Sequence, residues 1–168
     1  MWFFTATINS WKPLLKEDEI KNIVIDSMQW HCDQERALIH GFVIMPNHIH
    51  IVWTSTLKSE HWQNGTSLLK NTGHEFKKHL KQNNPNQLLQ FQSTQADRAY
   101  HFWERRPRSI EILNRDIAWQ KMSYMHRNPI QDKWKLCQYP EDYKYSSAGF
   151  YHKEDKSFPF LTHFIDYI

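Results

Sequence analysis

Cysteine and glycine are scarce in this chain, two of the first and four of the second among 168 residues. Cys32 and Cys137 stand alone, in no CxxC pair. That excludes a disulfide framework and a zinc-ribbon spacing, and it fits a reducing cytoplasm. GxGxxG, P-loop, GxSxG and HExxH patterns are all missing. With them go the glycine-rich phosphate cradles, the hydrolase elbow and the zincin helix. No apolar run approaches the roughly 20 residues of a membrane span. The opening run Met1 to Ile8 is apolar but short, and there is no basic leader before a cleavage site, so neither a membrane nor a secreted destination is expected. Charge of one sign is lacking too: 21 Lys and Arg against 18 Asp and Glu leave a net +3. This is compatible with a nucleic-acid partner without requiring one.

Aromatic residues, by contrast, are abundant: 8 Trp, 7 Tyr and 10 Phe, with 40% hydrophobic residues overall. That composition belongs to a globular chain. The length fits one domain spanning 1–168, and neither an internal repeat nor an interdomain linker is visible. The β-branched and aromatic run Trp2 to Ile8 predicts a strand. Ile20, Ile23, Val24 and Met28 recur at helical spacing between Glu17 and Cys32. Ala37 to Met45 reads as a central strand. The Pro46-Asn47 pair punctuates it, and His48 to Ser55 resumes as its antiparallel hairpin partner. A second helix is expected over Ser67 to Lys81, after Gly65 and Thr66 and with Gly73 as a weak point. Asn83 to Ala96 reads as a loop, Tyr100 to Arg105 as a strand, and Arg105 to Arg108 as a basic loop. A third helix is expected from an N-cap at Ser109 to Asn128-Pro129, with a tail from about residue 130 wrapping the core. The order predicts an α+β fold, a ferredoxin-like antiparallel sheet with helices packed on one face.

Three groups of residues could carry chemistry. His48 and His50 are separated by one residue on a strand, so they share a face while Ile49 and Ile51 point to the other. Such a pair either chelates a divalent metal or is simply polar on an exposed face. Tyr124 and Asn128 lie one turn apart on the third helix. Leu113 and Ile117 fall on the same stripe, so periodicity favours a core tyrosine, with Asn128 as a cap before Pro129. Third, Arg105, Arg106 and Arg108 precede that helix, Lys77, Lys78 and Lys81 mark the second, and Lys121 and Arg127 flank Tyr124. These cations either contact phosphates or form a solvated face. Trp103 and Trp119 could stack on bases.

Taken together, these residues resemble a family. Met45-Pro46-Asn47-His48-Ile49-His50 looks like the MPNHxH signature of REP-associated tyrosine transposases, relatives of the single-strand transposases of small bacterial insertion sequences. Tyr124 to Pro129 looks like their YxxxNP helix. Phe102 to Arg106 resembles the segment that precedes it, and Tyr139-Pro140 with Tyr145-Ser146-Ser147 resembles the closing YP…SS. The match runs in order from Phe42 to Ser147. Two departures stand out: Ile130 to Trp134 where an Ala-Gly stretch often follows, and no Tyr-Asp in the arginine loop.

The resemblance implies an HUH nuclease-like domain. His48 and His50 would be metal ligands, Tyr124 the nucleophile, and Asn128 the polar third ligand. The cofactor would be Mg²⁺ or Mn²⁺, and Arg105, Arg106, Arg108, Lys121, Arg127, Lys77 and Lys78 would face DNA. The implied activity is single-stranded DNA nicking and strand transfer through a 5′-phosphotyrosine, on a hairpin-containing partner. Two other classes remain open at this point: a single-stranded nucleic-acid-binding module without turnover, and an unrelated metal hydrolase using the histidine pair. A monomer and a homodimer with a shared site are both compatible with the sequence.

Overall fold

A computed structural model describes residues 1–56, 60–96 and 98–168. Four strands form one sheet: β1 (Trp2–Thr7), β2 (Ala37–Met45), β3 (His48–Ser55) and β4 (Arg108–Glu111). Their order is β2-β3-β1-β4, antiparallel throughout, which is the ferredoxin-like arrangement expected. The β2–β3 hairpin keeps its predicted bounds. Met45 pairs with His48, so Pro46-Asn47 is a two-residue turn of the kind that fixes register.

Helices α1 (Asp18–Asp33) and α2 (His61–Asn83) cover one face of the sheet. Ile20, Val24 and Met28 from α1 and Leu68, Phe76 and Leu80 from α2 pack against Phe4, Ile44, Ile51 and Trp53. Helix α2 is a turn and a half longer at its start than periodicity suggests. A reciprocal Glu60–Gln63 capping box begins it, satisfying orphan N–H groups. Gly65 therefore sits inside the helix instead of ahead of it. A β-carbon there would lie 2.7 Å from Phe4 Cε2, so this glycine permits close helix–sheet approach.

The stretch from residue 83 to 115 departs most from expectation. Part of the supposed loop is helical, α3 (Pro85–Leu89), capped by the Asn84 side chain. Tyr100 to Arg105 makes only isolated bridges, Tyr100 to Gln92 and Trp103 to Ile8. The fourth strand is β4 instead, so Arg108 and Ser109 belong to the sheet. All four of its residues are exposed, leaving no apolar alternation to read. Helix α4 (Arg115–His126) starts later, capped by Asn114, whose side chain accepts from Ile117 N at 3.0 Å.

Helix α4 crosses the opposite face of the sheet, adding a layer that the sequence did not indicate. Ala118, Met122 and Met125 pack on Phe3, Val43 and Val52. A side chain at Gly41 would collide with Met122 and Met125, so glycine lets α4 lie close. The tail then runs along β2. Ile44 N donates to Tyr145 O at 2.9 Å, Ser147 N to Phe42 O at 2.9 Å, and Thr162 N to Ile39 O at 3.0 Å. A short helix, α5 (Ala148–Lys153), lies within it. Covering β2 in this way removes an exposed sheet edge. Among the described residues, no helix is long and apolar enough to cross a membrane.

Candidate active site

The site begins with the alternation of β3. His48 and His50 point to the α4 face, and Ile49 and Ile51 enter the core on the other. Their ring centroids are 5.0 Å apart and both residues are buried. Each ring is held through Nδ1. Asn47 Oδ1 lies 2.8 Å from His48 Nδ1. The Asn47 amide orientation follows from its neighbours, because Nδ2 donates to Trp11 O at 3.2 Å and a carbonyl only accepts. His48 therefore carries its proton on Nδ1 and presents Nε2 as a lone pair. Thr5, paired with His50 across β1, places Oγ1 2.8 Å from His50 Nδ1. His50 Nε2 is buried with no hydrogen-bond partner. An orphaned buried nitrogen costs about 1–3 kcal/mol, and it is the kind of atom a metal ligand presents.

Burial pushes His48 down to about 4, with Lys133 adding to the effect. Burial pushes His50 down to about 3, with His48 and Lys133 adding. Both imidazoles are neutral near pH 7, the state that binds metal. Among the described residues, no cluster of three or more His, Cys, Asp or Glu side chains could hold an ion.

Tyr124 comes down from α4 onto this pair. Its ring meets that of His50 edge-on, centroids 5.5 Å apart at 68°, and that of Phe3 at 6.3 Å. It is 50% exposed, which corrects the core placement that periodicity favours. The buried stripe of α4 is Ala118, Met122 and Met125, and Leu113 lies before the helix, 72% exposed. Asn128 is buried, and its Nδ2 donates to Tyr124 O at 3.1 Å and Met125 O at 3.4 Å. One arm of the amide thus caps α4, leaving Oδ1 as the arm that can accept or ligate.

The basic residues do not gather in one place. Arg127 lines a cleft of about 510 Å³ with Tyr124, Ile130, Gln131 and Asp132. Lys121 Nζ sits 5.5 Å from the Phe3 ring. Arg108 pairs with Thr5, which pairs with His50, so its side chain shares the histidine face. Lys77 and Arg105 line a separate cleft of about 630 Å³ beside α2, with Lys70, His74 and Arg98. There Lys77 Nζ lies 5.4 Å over Tyr100, and Arg105 donates to Gln95. Lys78 pairs with Glu75 at 3.7 Å on the exposed side of α2, and Arg106 is exposed. Trp103 is buried and donates to Thr72 Oγ1 at 2.9 Å, so it is a core residue and not a base-stacking one. Trp119 is 45% exposed and packs edge-on against Phe164.

This fold also occurs in a solved structure of a REP-associated tyrosine transposase bound to a REP hairpin. The TM-score is 0.58 at 19% identity, covering 88% of this chain and 76% of that one. The chain has the fold of a REP-associated tyrosine transposase. A candidate transposase from Deinococcus radiodurans R1 also matches, with a TM-score of 0.47 at 13% identity over 73% of this chain and 86% of that one. No protein-family model matches the sequence, and no curated protein matches it either.

Within this transposase-like fold, sequence reasoning missed the residues that orient and surround the histidines. Asn47 stood inside the motif and was given no role. Thr5 is 45 residues from His50, a pairing that only the register reveals. Lys133 and Trp134 approach from the tail, with the Trp134 ring 6.0 Å from His48.

Proposed function

We propose that the protein is a metal-dependent, single-tyrosine transposase of the HUH class that nicks and rejoins single-stranded DNA. The observation that carries this reading is Tyr124, half-exposed and edge-on to a buried histidine whose Nε2 has no partner. His48, His50 and the Asn128 amide oxygen would hold Mg²⁺ or Mn²⁺, with imidazole donors suiting Mn²⁺ better. Such an ion supplies Lewis-acid stabilisation of charge on the scissile phosphate. Tyr124 Oη attacks phosphorus and loses its proton, and the P–O3′ bond breaks. The products are a 5′-phosphotyrosine and a strand ending in a 3′-OH, which takes up a proton. Attack by a 3′-OH on the phosphotyrosine reverses the balance and joins strands, with no external energy source because a phosphoester is retained throughout.

Arg127, Lys121 and Arg108 surround the histidine face and would hold the strand by its phosphates. The cleft of Lys70, Lys77 and Arg105 lies apart from Tyr124 and suits phosphates of a folded region of the same DNA. The transposase of the same fold is bound to a REP hairpin, and a hairpin with a single-stranded flank is the substrate class proposed here. A duplex would first have to be opened, so single strands should bind better than duplex, with affinity falling as salt rises.

The test is incubation of hairpin-flanked single strands with protein and Mg²⁺ or Mn²⁺, followed by denaturing electrophoresis. A nicked strand and a covalent protein–DNA band are expected. His48→Ala, His50→Ala and Tyr124→Phe should each abolish both. Full activity in excess chelator, or an adduct that persists in Tyr124→Phe, overturns the reading.

A further inference from the structure

Between β1 and α1 the chain does something costly. Ser10 and Trp11 both adopt φ of 57°, the left-handed region that a bulky side chain rarely enters. The turn is stitched in place from several sides. Trp11 N donates to Ile8 O at 2.9 Å, and Ser10 N to Glu104 Oε1 at 2.8 Å. Ile8 N donates to Asn47 O at 2.8 Å, and Leu15 N to Pro46 O at 2.9 Å. Asn47 Nδ2 donates to Trp11 O while the other arm of the same amide orients His48. The turn is thus built onto the hairpin corner that delivers the first histidine.

The strain does not bury the tryptophan. Trp11 is 63% exposed, and its ring lies 6.3 Å from that of His48, at 61°. Burial of the ring therefore does not account for a strained turn that holds this large apolar surface in water. The ring has the properties of a stacking platform: rigid, aromatic, solvent-facing and in contact with the candidate metal ligand.

Resting on the transposase reading above, we propose that Trp11 is a nucleobase-binding subsite, stacking on an unpaired base of the strand that passes His48. Stacking on an aromatic face is tolerant of sequence, because every base offers one. It fixes the nucleotide beside the reacting phosphate where Arg127 and Lys121, being phosphate contacts, cannot. The neighbouring Trp134 ring lies 6.0 Å from His48 and is half-buried, so Trp11 is the ring of the two that is open to a base.

The test uses the full chain carrying Tyr124→Phe, so that no covalent adduct forms. Affinity is measured by fluorescence anisotropy for labelled oligothymidylate and for an abasic strand of equal length. The parent should prefer the strand with bases. Trp11→Ala should lower that preference about tenfold, the size of one stacked base, without changing affinity for the abasic strand. Trp11→Phe should retain most of the preference. A preference that survives in Trp11→Ala, or equal weakening of both strands, overturns the subsite. Absence of any binding by the parent overturns it and the DNA-processing reading together. Base preference through Trp11 in a protein that never cleaves sinks only the transposase reading.

Discussion

His50 shows how much of a site is decided by one contact. Its Nδ1 is held by Thr5 Oγ1 at 2.8 Å, and that bond leaves Nε2 as the nitrogen without a hydrogen-bond partner. Partners of this kind orient a ligand and raise its basicity, and losing one typically weakens metal binding about 10- to 100-fold. Thr5→Val keeps the shape and removes the hydroxyl. We expect a rise of that order in the metal concentration that half-activates cleavage, with the rate recovered at saturating metal. An unchanged metal titration contradicts this role for Thr5. The histidine spacing itself was legible, because strand alternation turns one intervening residue into a shared face. The hydroxyl that completes it was not, since nothing local in the sequence ties Thr5 to His50.

At the level of elements, the placement of Tyr124 depends on how α4 is docked. His126 Nε2 lies 2.8 Å from Ser147 Oγ, which also receives Phe42 N at 2.9 Å. One tail hydroxyl therefore ties the end of α4 to β2 in a buried place. Ser147→Ala leaves the Phe42 amide and the His126 ring short of a partner, at a cost of about 1–3 kcal/mol. Urea denaturation should show that loss, and adduct formation should slow because Tyr124 sits two residues before His126. A variant as stable and as fast as the parent removes this tie from the account. The hairpin and α1 were legible because their patterns are strong and local. Strand β4 was not: its residues are all exposed, and it is a strand only because β1 offers an edge.

Across the whole molecule, five buried histidines among the described residues share one electrostatic signature. Burial is the first cause in each case, pushing His31 down, His40 and His48 down to about 4, and His50 and His126 down to about 3. In the unfolded chain they titrate near 6.5. As pH falls below that value the unfolded state takes up protons that the folded state refuses, so folding stability declines until the folded values are reached. Each group steepens the fall by up to about 1.4 kcal/mol per pH unit. Metal-free protein should therefore lose stability sharply between pH 6.5 and 4, measured as the urea midpoint. A flat profile over that window shows that these rings are solvated, not buried.

The sequence alone determined the strand carrying the histidine pair, the turn before it, the first helix and the resemblance that singled out Tyr124. These follow from short-range periodicity and turn chemistry, which act between neighbours. Tertiary structure decided the rest. It placed α4 on the second face of the sheet, with Gly41 leaving room beneath Met122 and Met125. That position turned Tyr124 outward to His50 and put Arg127 beside it in one cleft, while Lys77 and Arg105 line another. Those outcomes depend on which surfaces meet in space, and burial across a sheet leaves no local pattern in an exposed strand or on the solvent side of a helix.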